Sequence, residues 1–446
     1  MKASLLPVYL PGRNEREKGE FLRQMDILQG LYQAEAEFLP PVAAGAQIPE
    51  NVDAVVFPQL IGSAFGAKDI LSKINVPIVV LTSQFGTVEM WDWEIVSFLR
   101  EENGLNVFSP YTVEIARVVL RALGCKRKMG SGMKFLMFQD SPGEGMQAGI
   151  FKRFYWWEQE CTRRIEDAFG VRIVYRSYKE LNLQADKISD EDAQKACENW
   201  DIPIRDVKRE NYLKAVKIYI AVKQVIAEVG DVHGVGANCL NESMNSQTTP
   251  CLAWNMLFER DGIIWACEGD TVTMVSQFVF YRSLVRPTMM TNIYPFLVGM
   301  AALKHEKIDS FPDVLDAENH ALGVHCGYFG FAPQSFCSRF AVVPKVLGIV
   351  GEDSIMIDCE MEVGPIVLAK IHPNMKKLIL IEAEITKYVQ YPGSDCRNGA
   401  LIHFSNNNGH QVMQTLCSHH ALIIQGRCTH ELLLIAQIFG FEAQTL

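Results

Sequence analysis

The sequence lacks the cysteine patterns of the common zinc-ribbon and redox proteins. It contains 12 cysteines, and no two of them form a CxxC pair, which argues against a zinc ribbon and a thioredoxin-like motif. The cysteines are scattered through apolar surroundings in a chain that is long enough to fold without disulfides. We therefore expect mostly buried thiols in a reducing compartment.

Targeting signals and membrane spans are also missing. The N-terminus has one basic residue before a short apolar stretch that is broken by Pro7 and Pro11, unlike a secretory signal peptide. The longest nearly uncharged run, Thr291–Leu303, is shorter than the ~20 residues that cross a bilayer. We expect a cytoplasmic protein with no membrane partner.

The chain also lacks an excess of positive charge, a nucleophile-elbow motif and a complete dinucleotide-binding motif. The formal net charge of -10 argues against a nucleic-acid partner, which requires dense Lys and Arg, and favours a small molecule. A GxSxG nucleophile elbow is absent. Gly234-Val235-Gly236 would begin a dinucleotide fingerprint, but Cys239 occupies the place of its third glycine, which disfavours a nicotinamide dehydrogenase.

The sequence does contain strands that alternate with helices. Val52–Pro58 and Val76–Thr82 are β-rich runs on either side of a helical stretch, Ala67–Ile74. The pattern resumes at Lys134–Phe138, and after a long amphipathic helix it reaches a further strand at Val171–Tyr175. Such alternation predicts parallel sheets.

The character of the chain changes beyond residue 340. Short β-rich runs such as Ser354–Cys359, Ile366–Ile371 and Leu378–Thr386 are separated by Gly, Pro and Asn, which predicts antiparallel sheet. The predicted fold class is α/β, with two Rossmann-like parallel-sheet domains followed by a C-terminal, mainly antiparallel β domain. We place the domains at residues 1–135, 136–300 and 301–446 of the 446-residue chain.

The most informative segment is Gly262–Pro295. A short apolar strand leads directly to Glu268, Gly269 and Asp270, and an apolar helix follows. Carboxylates at the C-terminal end of a strand in an α/β sheet occupy the edge where such folds bind ligands. The alternative is that Glu268 or Asp270 only caps the next helix.

Histidines occur in two later segments, GVHCGYFGFAP at 323–333 and Ser418-His419-His420 before the strand ALII. Imidazole and carboxylate ligands together suit a divalent metal ion. Neighbouring residues of a strand point to opposite faces, so we expect at most one of His419 and His420 to reach a given ion. A single histidine by itself is more often a structural residue.

Several short motifs occur in a characteristic order: ACEGD at 266–270, HCG at 325–327, GPIVLAKI at 364–371, DCR at 395–397 and SHH at 418–420. In this order they resemble the successive signatures of the L-fucose isomerase-like family, which is related to the L-arabinose isomerases. LTSQFGTVEMWDWEI at 81–95 is similar to a segment of arabinose isomerases that contributes a substrate-contacting glutamine. The resemblance is strongest over 262–446 and implies a metal-dependent sugar isomerase.

The resemblance also implies roles for individual residues. The implied catalytic residues are Glu268, Asp270 and Asn292; the implied metal ligands are Glu268, Asn292, His325 and His420; the implied substrate contacts are Gln84, Trp91, Trp93 and His419. The implied cofactor is Mn²⁺, or another divalent ion such as Co²⁺ or Mg²⁺. Family members form homo-trimers or homo-hexamers in which the first domain completes the site of a neighbouring subunit.

The sequence departs from the family pattern at one position, because the family has a second carboxylate after the helix that follows EGD. The matching stretch here offers only Thr291 or Asn292, of which Asn292 is the better match. Asparagine can ligate a metal through its carbonyl oxygen but cannot accept a proton from carbon. Either Glu268 with Asp270 or a metal-bound water moves the proton, or the reaction differs. The predicted function is an aldose-ketose isomerase that acts on an open-chain or modified monosaccharide through an enediol. The alternative is a sugar-binding or regulatory paralogue without turnover.

Overall fold

A computed structural model of the chain describes residues 1–10, 15–58, 63–83, 92–140, 159–239, 242, 245–295, 314–324, 334, 337–344, 354–389, 399–405 and 409–446. The fold in these ranges is mixed α/β, with parallel sheets followed by an antiparallel barrel. The chain divides into two compact units. Unit 1 comprises Met1–Gly130, Arg282–Leu284 and Leu433–Gly440, and unit 2 comprises Ser131–Tyr281, Val285–Leu432 and Phe441–Leu446.

The strands of the two units are numbered in chain order. They are β1 (Ala3–Tyr9), β2 (Ala36–Phe38), β3 (Val42–Ala43), β4 (Ala54–Phe57), β5 (Ile78–Val80), β6 (Val107–Phe108), β7 (Lys134–Phe138), β8 (Arg172–Arg176), β9 (Val232–Ala237), β10 (Ile264–Ala266), β11 (Thr288–Pro295), β12 (His320–Val324), β13 (Cys337–Pro344), β14 (Ile355–Met361), β15 (Gly364–Ile371), β16 (Lys377–Val389), β17 (Gly399–His403), β18 (His420–Gln425) and β19 (Glu442–Thr445).

The helices are numbered in the same way. They are α1 (Glu15–Tyr32), α2 (Ser63–Gly66), α3 (Lys68–Leu71), α4 (Asp92–Glu101), α5 (Val113–Gly130), α6 (Gln159–Phe169), α7 (Tyr178–Ala185), α8 (Asp190–Cys197), α9 (Arg209–Val229), α10 (Cys251–Asp261), α11 (Thr271–Leu284), α12 (Gly409–Thr415) and α13 (Thr429–Phe439). Two short 3₁₀ turns lie at Cys267–Gly269 and Ala317–Asn319. Among the described helices, none combines the length and the apolar character that a membrane crossing needs.

Unit 1 contains a parallel sheet in the order β2-β1-β4-β5-β6, with β3 also paired to β1. Its central strands are short apolar runs such as AVVF in β4, which is typical of parallel strands that are covered on both faces. Gly124 of α5 lies very close to β1, because a Cβ there would be 3.1 Å from the backbone nitrogen of Ala3. A side chain at this position would push α5 away from the strand.

Unit 2 begins with a second parallel sheet in the order β10-β9-β7-β8. Gly234 and Gly236 lie in β9, and a Cβ at either position would approach side-chain atoms of β7 and α11 to 3.0 Å or less. The glycines therefore allow α11 to pack tightly on this sheet. The predicted strand Lys134–Phe138 is confirmed as β7.

The rest of unit 2 contains a closed antiparallel barrel. Its strands follow the order β15-β18-β11-β12-β17-β16, and pairing between β15 and β16 closes the ring. β19 adds to β16 in a parallel direction, and β13 and β14 form a separate antiparallel pair. The antiparallel C-terminal sheet is confirmed. β11 precedes residue 300 in the chain and is a barrel strand; the three domain boundaries stay predictions.

Candidate functional site

The candidate site begins at the C-terminal end of β10, where the chain turns into α11. Glu268 lies in the 3₁₀ turn with φ 55° and ψ 14°, a left-handed conformation that is uncommon for residues other than glycine. Its side chain is buried, with 5% of its surface exposed. The Sγ of Cys267 lies 3.9 Å from the Sγ of Cys239, which follows β9. The turn is thus held against the neighbouring strand.

Asp270 caps the N-terminus of α11 and is fully buried. Its Oδ1 accepts a hydrogen bond from the backbone N–H of Thr273 at 2.8 Å, and its Oδ2 accepts one from the Thr273 hydroxyl at 2.6 Å. Asp270 thus caps α11, but capping is not its only contact. The same Oδ2 also contacts two residues of the barrel, Lys370 and His420.

Lys370 lies in β15, and its Nζ is 3.0 Å from the Oδ2 of Asp270. It also donates to the Thr273 hydroxyl. Lys370 is 1% exposed, so its ammonium group forms a buried ion pair with Asp270. A buried charge is tolerated only when it is paired and hydrogen-bonded in this way.

His420 connects the two carboxylates of the EGD segment. Its Nδ1 lies 2.9 Å from the Oδ2 of Asp270, and its Nε2 lies 3.5 Å from the Oε2 of Glu268. The ring of His419 is also near, with its centroid 4.1 Å from that of His420. One potential ligand atom from each of Glu268, His419 and His420 lies within 4.8 Å of the others.

The expectation that at most one of the two adjacent histidines reaches a given ion stays a prediction, although ligand atoms of both rings lie near Glu268. Alternation applies inside a strand, but β18 begins at His420, and His419 belongs to the preceding turn. The backbone there lets both rings face the same region. His419 can therefore be a metal ligand in addition to its predicted role as a substrate contact.

Electrostatics give the two histidines different protonation behaviour. Burial, together with the neighbouring His420, lowers the pKa of His419 to about 3. Burial also lowers the pKa of His420, but the carboxylates of Glu268 and Asp270 outweigh it and raise this pKa above its usual value. Burial raises the pKa of Asp270, yet Lys370 and His420 outweigh it and hold the Asp270 carboxyl well below its usual range.

Asn292 lies in β11 directly opposite His420 in β18, as antiparallel partners. Side chains of such a pair lie on the same face of the sheet, with Cβ atoms about 5 Å apart. Asn292 is 7% exposed. The structure therefore brings together four of the predicted site residues, Glu268, Asp270, Asn292 and His420, with His419 beside them.

The remaining predicted site residues are Gln84, Trp91, Trp93 and His325. Gln84, Trp91 and His325 lie outside the described residues. Trp93 lies in unit 1, on the first turn of α4, with 49% of its surface exposed. Its proposed contact with a sugar in a neighbouring subunit stays a prediction.

The sequence reasoning missed Lys370 and Thr273. Lys370 lies in the GPIVLAKI motif. A lysine in an otherwise apolar strand is by itself a sign of a functional or paired charge. A charged residue inside such a strand is almost never fully buried unless it is paired. The partner could not be located from the sequence, because Asp270 precedes Lys370 by 100 residues.

The donor set of Glu268, His419 and His420 fits a divalent ion, since it combines a carboxylate oxygen with imidazole nitrogens. Neither a family model nor a curated protein matches this chain. The resemblance to sugar isomerases therefore stays a prediction from the sequence motifs.

Proposed function

We propose that the chain is a metal-dependent aldose-ketose isomerase that acts on an open-chain or modified monosaccharide. The observation that carries this proposal is the buried group of Glu268, His419 and His420, with ligand atoms within 4.8 Å of one another. It lies at the C-terminal end of a parallel strand, where α/β proteins bind ligands. The proposed ion is Mn²⁺, with Co²⁺ or Mg²⁺ as substitutes.

In this proposal Glu268 and Asp270 have different tasks. Asp270 accepts hydrogen bonds from Thr273, Lys370 and His420, so we assign it to positioning and no longer to proton transfer. Glu268 removes the proton from C2 of the aldose and returns it to C1, while the hydroxyl proton moves from O2 to O1. A divalent ion at the site would polarise the two oxygens.

The same proposal includes the features that the resemblance implies. Gln84, Trp91, Trp93 and His419 contact the sugar, His325 and Asn292 complete the metal site, and the two parallel sheets are Rossmann-like. The active form is a homo-trimer or homo-hexamer. The proposed location is cytoplasmic, in keeping with the ten described cysteines, which form no disulfide with one another.

A second candidate function is favoured by Asn292, which lies opposite His420 in place of the family's second carboxylate. A paralogue that binds a sugar and regulates another process would keep the buried ligands but need no second acid-base group. It would bind its sugar tightly without forming product.

The deciding experiment exposes the protein and Mn²⁺ to a panel of aldoses and ketoses in deuterated water. Deuterium at C1 of the ketose formed from an aldose, or at C2 of the aldose formed from a ketose, supports the isomerase. Tight sugar binding without exchange or product selects the second candidate. Full activity in metal-stripped protein, verified by elemental analysis, would refute the metal site.

If the protein is active, the Asn292→Asp variant tests the role of Asn292. A second carboxylate opposite His420 is expected to raise activity if Asn292 is a degenerate position, and to lower it if Asn292 is adapted to a particular substrate. The matched control is Asn319→Asp, at an exposed turn where the asparagine donates to Asp316. Unchanged metal binding and turnover in Asn292→Asp would place Asn292 outside the site.

A further inference from the structure

Lys370 occupies an unusual position for a lysine. It lies inside the barrel strand β15, between apolar residues, with 1% of its surface exposed. Placing an ammonium group in such an environment is unfavourable unless the group has strong partners. The contacts of the Lys370 ammonium group therefore indicate its role.

The contacts of Lys370 lead directly to the candidate ligands. Its Nζ is 3.0 Å from the Oδ2 of Asp270, and that oxygen is 2.9 Å from the Nδ1 of His420. The other nitrogen of the imidazole, Nε2, faces Glu268 at 3.5 Å. Lys370, Asp270 and His420 thus form a continuous chain that ends at the candidate metal centre.

The contacts from Lys370 through Asp270 determine the orientation and the tautomer of the His420 imidazole. Because Asp270 is an acceptor, it retains the proton of His420 on Nδ1 and leaves the lone pair on Nε2, which then points toward Glu268. Asp270 could also rotate away from His420, but Lys370 and the Thr273 hydroxyl hold the same oxygen. The imidazole is thereby oriented before a ligand arrives.

We infer that Lys370 is a positioning residue of the metal centre, which acts through Asp270 to orient His420 as a ligand. The inference rests on the proposed function only in so far as Glu268 and His420 bind a divalent ion. It requires no direct contact between Lys370 and the ion or the sugar.

The test measures Mn²⁺ affinity by calorimetry, with MnCl₂ as the probe. Lys370→Met retains the length of the side chain, and its expected effect is a ~10- to 100-fold loss of Mn²⁺ affinity, as for other residues that support a metal ligand. Lys134→Met is the matched control, since the Nζ of Lys134 donates to the carbonyl of Val229 in the same unit. It should bind Mn²⁺ like the wild type.

Lys370→Met leaves the charge of Asp270 unbalanced and could prevent folding, so a charge-neutral double variant is needed. Lys370→Met with Asp270→Asn removes both charges, which buried ion pairs often tolerate. We expect a folded protein, by circular dichroism, with Mn²⁺ affinity still reduced at least ~10-fold. Wild-type affinity in the folded double variant would overturn the inference.

A second measurement separates positioning from a merely structural role. In metal-free protein labelled with ¹⁵N-histidine, at a pH where the ring is neutral, NMR reports which ring nitrogen of His420 carries the proton. We expect Nδ1 in the wild type and in Lys134→Met, and a mixture of tautomers in the double variant. An unchanged tautomer in the double variant would also refute the inference. Absence of metal binding in the wild type would instead refute the proposed metal site itself.

Discussion

Glu268 combines a left-handed backbone with a buried carboxylate. A non-glycine residue in this conformation costs about 1–3 kcal/mol and persists where the surroundings enforce it, often at functional sites. Gly269 follows with φ 74°, and a Cβ there would lie 3.5 Å from the backbone nitrogen of Asn238. The two residues thus form a tight turn that directs the Glu268 side chain toward His420.

Glu268→Gln should abolish most of the isomerase activity while preserving the fold. Glutamine keeps the shape of the side chain but removes a negative ligand and a proton acceptor, so we expect the rate to fall at least ~100-fold. Mn²⁺ affinity should fall as well. Steady-state kinetics and calorimetry check both effects, with Glu259→Gln as a surface control; wild-type kinetics would reassign Glu268 to the turn.

His419 should make the stability of the metal-free protein depend on pH. Its pKa is about 3 in the folded protein and about 6.5 when unfolded, so the unfolded chain takes up the proton first as the pH falls. The stabilisation is therefore complete above about pH 6.5 and is lost toward pH 3, by up to about 1.4 kcal/mol per pH unit.

Urea unfolding between pH 7.5 and 5 measures this effect. His420 has the opposite sign, because its raised pKa gives stability at low pH that is lost as the pH rises, so the informative quantity is the difference between wild type and His419→Gln. The variant should lose less stability on acidification. Parallel pH profiles for the two proteins would contradict the assignment.

At the scale of elements, the approach between α11 and the second parallel sheet depends on the small residues of β9. A Cβ on Gly234 would lie 2.7 Å from the Phe135 ring and 2.8 Å from the Sδ of Met274. Phe135 and Met274 are themselves buried, so neither can move without disturbing other contacts. The missing side chain of Gly234 therefore sets how closely α11 packs against the sheet. This distance also sets the position of Asp270, which caps α11.

Gly234→Ala should destabilise the protein by about 1–3 kcal/mol, the usual cost of an overpacked core. Gly19→Ala in α1 is the control, since nothing lies within 4 Å of a Cβ there, and alanine should stabilise an exposed helix by up to about 1 kcal/mol. Urea midpoints of the two variants give the comparison. Equal midpoints would show that α11 can shift at little cost.

Local pattern predicted many elements, because their apolar spacing is visible within a few residues. The apolar spacing of Lys208–Val229 predicts a helix, which is α9, and the strand expected at Ile366–Ile371 is β15. Within the helical stretch expected at Ala67–Ile74 the structure has only the short helix α3, and α2 ends just before it. Alternation along a strand did not predict that the rings of His419 and His420 lie close together. The strand begins at His420, and pattern places such a boundary only within a few residues.

At the scale of the whole molecule, the sequence predicted antiparallel sheet but not a closed barrel. Closure depends on the pairing of β15 with both β16 and β18, and such long-range partners leave no local signal. For the same reason, the sequence did not identify Lys370 as a site residue, because its partner Asp270 is distant in the chain. Parallel sheets were predictable because strand-helix alternation permits few other arrangements.

Assembly of the whole molecule is tested by complementation. If the first part of the chain completes a site in a neighbouring subunit, mixing inactive Glu268→Gln protein with inactive Gln84→Ala protein under subunit exchange should restore part of the activity. Light scattering should give the mass of a trimer or hexamer. A monomeric mass, or a mixture that stays inactive, would refute shared sites.

The closed barrel also sets the order in which the centre can form during synthesis. Asn292, His420 and Lys370 lie on the adjacent strands β11, β18 and β15, yet His420 follows Asp270 by 150 residues. A nascent chain on the ribosome exposes the EGD turn long before its imidazole partner has been translated. Asp270 therefore gains its contacts with Lys370 and His420 only late in synthesis. The group of Glu268, His419 and His420 can assemble only after β18 has inserted between β11 and β15.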